Sequence, residues 1–327
     1  MNNPGFAYRL LFHYARWAYT KCYCRLFEVR GVENVPETGA TILVTNHQNN
    51  LPDALSILFA TRRKPVFVAR ADFFNTPTSN RLLRFLRILP MYRGDHGRES
   101  LKKDLPATMQ ELSEHLSSDG TIAVMAEGSS APRRDIRPLK KSWARLAVAH
   151  QAAREEVHVI PAVIEYSDWQ NWGPDVRVNF GEELVLPESA DTSDAQKVKQ
   201  LTDLAHEKLS EMVHDDNEIA IWNCQNTKKL VGRMALWKIL SFVALPIGYV
   251  LLGPILLLAR YRVRSHSRTD FKSTLQIGFI ILGTPFWLVL TLPLAFLIQP
   301  WLPVVLLFAY PLFLWVFARC IIAWRTP

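Results

Sequence analysis

The feature that most limits the fold of this chain is the apolar sequence in its last third. Three apolar stretches, at residues 234–259, 275–298 and 301–324, are each long enough to cross a bilayer, which takes about 20 residues. Eight basic residues and one acidic residue lie from Met234 onward, and cations beside apolar spans are typical of contact with anionic lipids. The sequence therefore predicts a membrane region at 234–327.

The placement of these cations predicts a membrane topology. Five of them lie between residues 260 and 272, and short loops rich in Lys and Arg stay on the cytoplasmic side. We therefore expect 234–259, which Pro and Gly interrupt, to enter the membrane and return, and 275–298 and 301–324 to form a transmembrane hairpin. Three full spans are the alternative. The expected location is a membrane, with several crossings and the soluble part on the cytoplasmic side.

The part of the chain before the membrane region is nearly neutral. Its 233 residues hold 30 basic and 29 acidic side chains, which argues against a nucleic-acid partner because such binding needs an excess of cations. Between residues 27 and 180, β-prone and helix-prone runs alternate, as in an α/β domain with a largely parallel sheet flanked by helices. Strands are predicted at 41–45, 66–69, 88–92, 122–126, 158–164 and 176–180. Helices are predicted at 52–61, 79–86, 99–117, 139–154 and 190–216.

These patterns divide the chain into four regions. Residues 1–27 form an amphipathic helix that either lies in the bilayer interface or packs on the core of the domain. Residues 28–216 form the α/β domain, 217–233 a linker and 234–327 the membrane region. The four cysteines show no paired spacing for zinc or for disulfides, so we expect a reducing compartment and no metal.

A histidine and an aspartate lie on the two sides of one predicted strand-to-helix turn. His47 directly follows the strand at 41–45, and Pro52 favours a first helical turn that includes Asp53. An imidazole oriented by a carboxylate is a general base for a hydroxyl. The alternative is a polar loop in which the histidine only bonds the backbone, because one pair at a fixed spacing is weak support.

Four short blocks occur in a fixed order along the chain. They are residues 46–53, residues 89–93 (Leu-Pro-Met-Tyr-Arg), residues 124–130 (Val-Met-Ala-Glu-Gly-Ser-Ser) and residues 159–162 (Val-Ile-Pro-Ala). Together they resemble the four sequence blocks of the glycerol-phosphate and lysophospholipid acyltransferase family. One block is weak, whereas four in the right order are a strong signal.

The resemblance implies a reaction and roles for particular residues. A fatty acyl group would pass from acyl-CoA or acyl carrier protein to the hydroxyl of glycerol 3-phosphate or a lysophospholipid, in phospholipid biosynthesis. His47 would be the base, Asp53 would orient it, and no covalent intermediate would form. Arg93, Glu127 and Gly128 occupy block positions that imply binding of the acceptor's phosphate, and each of them follows or ends a predicted strand, as ligand-binding residues of α/β sheets do. No cofactor is implied beyond the acyl thioester as cosubstrate.

Two departures distinguish this chain from the usual family pattern. Five residues separate the histidine from the aspartate, where the commoner pattern has four, and this resembles a branch that includes glycerol-phosphate acyltransferases. The third block usually reads Phe-Pro-Glu-Gly-Thr-Arg, and its arginine is absent here. Arg133, Arg134 or Lys140, within a basic run at 133–141, could supply the positive charge instead.

Two other functions stay open on the sequence alone. The chain could act on a lipid acceptor other than a glycerophosphate, as the absent arginine of the third block suggests, or it could be a catalytically silent membrane scaffold with the same fold. Membrane lipids and acyl-CoA or acyl carrier protein are the expected partners. The sequence does not indicate an oligomeric state.

Overall fold

Seven strands within the described residues form one central sheet. The computed structural model describes residues 5–92, 98–153, 156–185, 192–265 and 272–325. The strands are β1 (Leu26–Arg30), β2 (Ala40–Thr45), β3 (Val66–Arg70), β4 (Ile88–Met91), β5 (Thr121–Met125), β6 (Val157–Tyr166) and β7 (Asp175–Phe180). The helices are α1 (Phe6–Trp17), which continues as a π-helix (Ala18–Tyr23), α2 (Asn50–Ala60), α3 (Pro77–Phe85), α4 (Arg98–Ser117), α5 (Ser142–Ala152), α6 (Asp194–Met212), α7 (Asp216–Ser265), α8 (Lys272–Gly278), α9 (Thr284–Ile298) and α10 (Leu302–Arg325).

The order of the strands in the sheet is β1-β7-β6-β2-β5-β3-β4. Only β6 and β7 run antiparallel among these neighbours, and every other described pair is parallel. The predicted α/β architecture with a largely parallel sheet is therefore confirmed. Because β2 is parallel to both β5 and β6, Thr45 at its carboxyl end lies opposite Met125 and Ala162.

Side chains alternate between the two faces of the sheet, and each face has its own apolar core. In β2, Leu43 belongs to the first core, whereas Ile42 and Val44 belong to the second. All six residues of β2 are buried, as expected for a strand of a parallel sheet that is covered on both faces. Residues of α4, α5 and α6 complete the second core.

The first face is covered jointly by the N-terminal helix and the C-terminal helices. One buried cluster contains Tyr19 of the first π-helix, Ile57 of α2, Ile280 of a second π-helix (Phe279–Gly283) and Ala318 of α10. Tyr14 Oη also donates to the carbonyl oxygen of Ile280 at 2.9 Å. The C-terminal region therefore packs directly on the α/β core.

The beginning of α1 differs from its end. Phe6 and Leu10 are exposed although Tyr8 between them is buried. Ala15 and most of the following π-helix, with the exception of Thr20 and Lys21, are buried. The packed alternative thus describes the end of the helix, and an interfacial position for its beginning stays a prediction.

Two helical stretches among the described residues, Lys272–Ile298 and Leu302–Arg325, are long and apolar enough to cross a bilayer. Two parts of α7, Asp216–Leu230 and Met234–Val250, meet at 73°. This bend fits both a broken span and a segment that enters and returns. Residues 217–233, predicted as a linker, are helical. The topology, the sidedness and the division into regions stay predictions.

Strand β1 lies where the sequence pattern predicted the end of the first helix. The helix ends at Tyr23, and Arg25 then pairs with Asp175 through Nε–Oδ1 at 2.7 Å and Nη2–Oδ2 at 2.6 Å. Both side chains are buried, and such a bidentate pair fixes direction as well as distance. It ties the chain to the start of β7, with which β1 pairs in parallel.

Candidate active site

The turn between β2 and α2 brings the predicted histidine and aspartate together. His47 Nδ1 lies 2.8 Å from Asp53 Oδ2, and the same oxygen accepts from the backbone N–H groups of Gln48 and Asn49 at 2.8 Å each. Asp53 is fully buried, and the side chain of His47 is 17% exposed. When Nδ1–H donates to a carboxylate, Nε2 keeps the lone pair that a general base needs.

Two local features hold this turn in place. Asn46 makes a double contact with β6, because its Nδ2 donates to the carbonyl oxygen of Ile164 at 3.0 Å and its Oδ1 accepts from the N–H of Ile164 at 2.9 Å. Asn50 opens α2 with a φ of 36°, and asparagine tolerates this left-handed conformation better than most residues do. The helix therefore begins two residues before Pro52, and Asp53 lies in its first turn.

Glu127 of the third block lies beside the turn, in the loop after β5. Its carboxylate Oε2 accepts from Arg137 Nε at 2.6 Å. Burial raises the pKa of Glu127, and the Arg137 guanidinium opposes that rise. Arg137 in addition donates to Ser129 Oγ at 2.9 Å and to the carbonyl oxygen of His47 at 3.3 Å.

Gly128 and Lys140 fit closely together in the same loop. Gly128 has a φ of 77°, which a residue with a side chain rarely adopts. A Cβ on it would lie 2.9 Å from Cγ of Lys140. The aliphatic part of Lys140 therefore crosses the glycine, while the residue as a whole is exposed.

The other two candidate cations of the basic run are engaged elsewhere. Arg133 is exposed and donates to Asp135, with Nε–Oδ1 at 2.6 Å. Arg134 donates through Nε to Asp216 Oδ1 at 2.5 Å, and its guanidinium lies 4.6 Å from the ring centre of Trp169. Neither contact is with the third block.

Among the described residues of the basic run, Arg137 is thus the cation whose guanidinium bonds side chains of the third block, and it lies ten positions after Glu127 in the chain. The sequence pattern showed the basic run but not which of its members folds back, and Arg137 was not among the three candidates. Arg93, the candidate from the second block, lies outside the described residues.

Two further residues contact the turn and were not found from the sequence. Tyr166 Oη donates to Asp53 Oδ1 at 2.8 Å, and Trp169 Nε1 donates to Gln48 Oε1 at 3.1 Å. Both lie just beyond the fourth block, at the end of β6 and in the loop that follows. That position is the one signal in the sequence that pointed to them.

The loop after β6 connects the turn to the first of the two apolar helical stretches. The carbonyl oxygen of Trp169 accepts from Asn49 Nδ2 at 3.2 Å and from the hydroxyl of Ser273 in α8. Gln276 Nε2 donates to the neighbouring carbonyl of Gln170 at 3.2 Å. Side chains of α8, at the start of the first apolar helical stretch, therefore support a loop that contacts the turn carrying His47.

Comparison with known proteins agrees with the block pattern. The family model described as Acyltransferase matches residues 26–165, a range that contains all four blocks. A similar solved structure is the 1-acyl-sn-glycerophosphate (LPA) acyltransferase PlsC from Thermotoga maritima, with 21% sequence identity, a TM-score of 0.46, and coverage of 63% of this chain and 79% of that chain. No curated protein sequence matches this chain.

The predicted family and the predicted enzyme class are therefore confirmed, while the individual roles of the site residues stay predictions. The confirmation comes from the family match over the whole range in which the turn, the third block and the fourth block lie. Residues 26–165 form an acyltransferase domain, and the chain is an enzyme of acyl transfer.

Proposed function

We propose that this acyltransferase moves a fatty acyl group from acyl-CoA or acyl carrier protein to a hydroxyl of glycerol 3-phosphate or of a lysophospholipid, in phospholipid biosynthesis at a membrane. The observation that supports this most is the contact of 2.8 Å between His47 Nδ1 and the buried Asp53, beside the ion pair of Glu127 and Arg137. It supports the proposal that His47 is a base, that Asp53 orients it and that Arg137 is a fixed cation beside them.

In the proposed reaction His47 Nε2 takes the proton of the acceptor hydroxyl as its oxygen attacks the thioester carbonyl carbon. Asp53 stabilises the imidazolium that forms. The carbon–sulfur bond then breaks, and the imidazolium returns its proton to the leaving thiolate. General base catalysis of this kind contributes roughly 10²–10⁴-fold, and the alignment of the two substrates supplies the remainder.

The cations near the turn are proposed to bind the acceptor's phosphate. Arg137 has a planar guanidinium that suits phosphate oxygens, and its bonds to Glu127 and to the His47 carbonyl hold it in one position. Lys140, next to Gly128, adds a second positive charge. Arg93 keeps its proposed role from the second block.

A membrane location is proposed on the two apolar helical stretches and on their packing. Both are long enough to cross a bilayer, and their residues share a core with α2. An enzyme built in this way would meet lipid acceptors at the bilayer surface.

The test is thiol release from acyl-CoA and from acyl carrier protein by the purified full chain in lipid nanodiscs. Glycerol 3-phosphate, lysophosphatidate and a non-phosphorylated lysolipid are offered in turn, and the lipid products are identified by mass spectrometry. We expect release only with a phosphorylated acceptor. Equal release with the non-phosphorylated lipid would contradict the proposed acceptor class.

A matched pair of histidine variants tests the proposed base. His47→Ala should abolish release, whereas His158→Ala should retain it. His158 is an appropriate control because it is also paired with a carboxylate, with Nδ1 2.9 Å from Glu183 Oε1, and is similarly exposed. Full activity of His47→Ala would exclude the mechanism.

A further inference from the structure

The carboxylate of Asp53 is held by different groups at its two oxygens. Oδ2 accepts from His47 Nδ1 and from two backbone N–H groups of the turn. Oδ1 accepts from the hydroxyl of Tyr166 at 2.8 Å. The turn therefore supplies all donors to one oxygen, and the sheet supplies the donor to the other.

Tyr166 is fixed independently of the turn. It is the last residue of β6, it is fully buried, and it belongs to the core of the first face. Its hydroxyl also lies 3.4 Å from Ser56 Oγ, which in turn lies 2.7 Å from the hydroxyl of Tyr19. Burial and the nearby Asp53 charge raise the pKa of Tyr166 well above its ordinary value, so the hydroxyl keeps its proton and donates.

Rotation of a carboxylate about its Cβ–Cγ bond displaces both oxygens, so partners on either oxygen resist it. The Tyr166 hydroxyl on Oδ1 therefore restrains the carboxylate plane in addition to the donors on Oδ2. The plane of Asp53 in turn decides whether Oδ2 meets Nδ1–H of His47 in line. The orientation of the base therefore depends on a hydroxyl that lies 113 positions from Asp53 in the sequence.

We propose that Tyr166 is a positioning residue for the base of this enzyme and that it acts through Asp53. This inference rests on the proposed function, in which His47 removes the hydroxyl proton. Tyr166 has no contact with the reacting atoms in this proposal. It holds the carboxylate of Asp53 in place, and that carboxylate orients the imidazole of His47.

The central test is Tyr166→Phe, which removes one oxygen and keeps the ring. We expect kcat to fall about 10- to 100-fold, as for loss of a hydrogen bond to a charged group, with the KM of both substrates within about twofold. The acidic limb of the profile of kcat/KM against pH should move to higher pH. The reason is that a carboxylate with one donor fewer attracts the imidazolium proton more strongly.

Tyr23→Phe is the matched control. Tyr23 is also a fully buried tyrosine of the same core, and no hydrogen bond among the described residues joins its hydroxyl to Asp53 or to Tyr166. We expect this variant to keep its kcat and its pH profile. If both variants lost kcat equally, or if the pH profile of Tyr166→Phe stayed in place, the positioning role would be wrong.

Two further measurements test the proposal if Tyr166→Phe folds poorly. A ring-fluorinated tyrosine at position 166 keeps the shape of the side chain and donates a stronger hydrogen bond. The acidic limb of the pH profile should therefore move to lower pH, and an unmoved limb would overturn the proposal.

A double-mutant cycle of Tyr166→Phe with Asp53→Asn should show no additional loss of kcat beyond that of Asp53→Asn, because both changes act on one contact. Additive losses would overturn it as well.

These outcomes are separable from those of the proposed function. If His47→Ala is active, both the proposed function and this inference are wrong. If His47→Ala is inactive and Tyr166→Phe is unaffected, only this inference is wrong.

Discussion

The two ends of the central sheet bury polar side chains in different ways. At the carboxyl ends of β2 and β6, Asp53 is fully buried and accepts four hydrogen bonds. At the opposite end, His115 Nε2, Arg87 Nε and Thr121 Oγ1 are buried and lack a hydrogen-bond partner among the described residues. A buried charge is tolerated where donors replace water and is expensive elsewhere. The first end can therefore keep a buried carboxylate for chemistry, whereas at the second end burial beside the Arg87 guanidinium favours a neutral imidazole at His115.

The largest expected effect comes from removing the charge at the first end. Asp53→Asn keeps the shape of the side chain, and its amide could still meet the N–H groups of the turn and the Tyr166 hydroxyl. We expect acyl transfer to fall by roughly 10³–10⁴-fold because the imidazolium loses its stabilising charge. Thiol release at saturating substrate measures this, with circular dichroism as the control for folding. A loss below tenfold would mean that acyl transfer does not depend on the charge of Asp53.

The next largest effect concerns the cation at the same end. Arg137→Gln removes the partner of Glu127 and, on our proposal, a phosphate contact, so the KM of the phosphorylated acceptor should rise about 10- to 100-fold. Arg133→Gln is the control, because that exposed arginine pairs with Asp135 outside the third block. Initial rates against acceptor concentration decide the matter. Equal changes in both variants would show that the basic run acts only through its overall charge.

A smaller effect is expected at the opposite end of the sheet. Burial and the nearby Arg87 guanidinium lower the pKa of His115 to about 4, whereas an unfolded histidine titrates near about 6.5. The folded state thus binds fewer protons between these values, so its stability is complete above about pH 6.5 and declines as the pH falls towards 4. Once the full shift is discounted for solvent screening, the decline is about 2 kcal/mol. Urea unfolding in nanodiscs at pH 7.5 and pH 4.5 measures the decline.

His115→Gln should reduce this dependence of stability on pH, because glutamine has no proton to gain. His13→Gln, at an exposed position of α1, should leave it unchanged. An unchanged dependence in the His115 variant would assign the acid sensitivity to other groups.

The smallest effect is expected in the loop after β6, which joins the turn to the first apolar helical stretch. Trp169→Phe removes the N–H that donates to Gln48, and we expect kcat to fall about 3- to 10-fold, as for one neutral hydrogen bond. Trp172→Phe is matched to it, since Trp172 lies in the same loop and donates to the carbonyl oxygen of Cys22 instead. Stopped-time assays of both variants in nanodiscs would measure the difference. Identical kinetics would show that the loop does not support the turn.

Most of the sheet could be predicted because its strands are short apolar runs between turn residues. The predicted strand at 41–45 corresponds to β2 at Ala40–Thr45, and the one at 176–180 to β7 at Asp175–Phe180. Strand β1 was missed because Leu26–Arg30 is half polar and gains its partner, β7, only in the folded chain.

The candidate site could be predicted only in part, for a related reason. His47 and Asp53 lie six positions apart on one turn, so their meeting is a local property of the chain. Arg137 reaches Glu127 through an irregular loop, and Tyr166 reaches Asp53 across the sheet. Neither periodicity nor turn chemistry specifies contacts of these two kinds, which depend on tertiary packing.

The pairing of β2 with β6 has a consequence for misfolding. Thr45 is aligned with Ala162, and from that alignment Tyr166 faces Asp53 while its neighbour Glu165 faces the other side, where it contacts His214. A shift of β6 by a single position would turn the strand over and could carry Glu165 towards Asp53. Two carboxylates would then share one dry pocket, and their mutual repulsion would raise the energy of the shifted chain. By this argument, the aspartate that pairs with His47 also disfavours a β6 strand that is paired out of register.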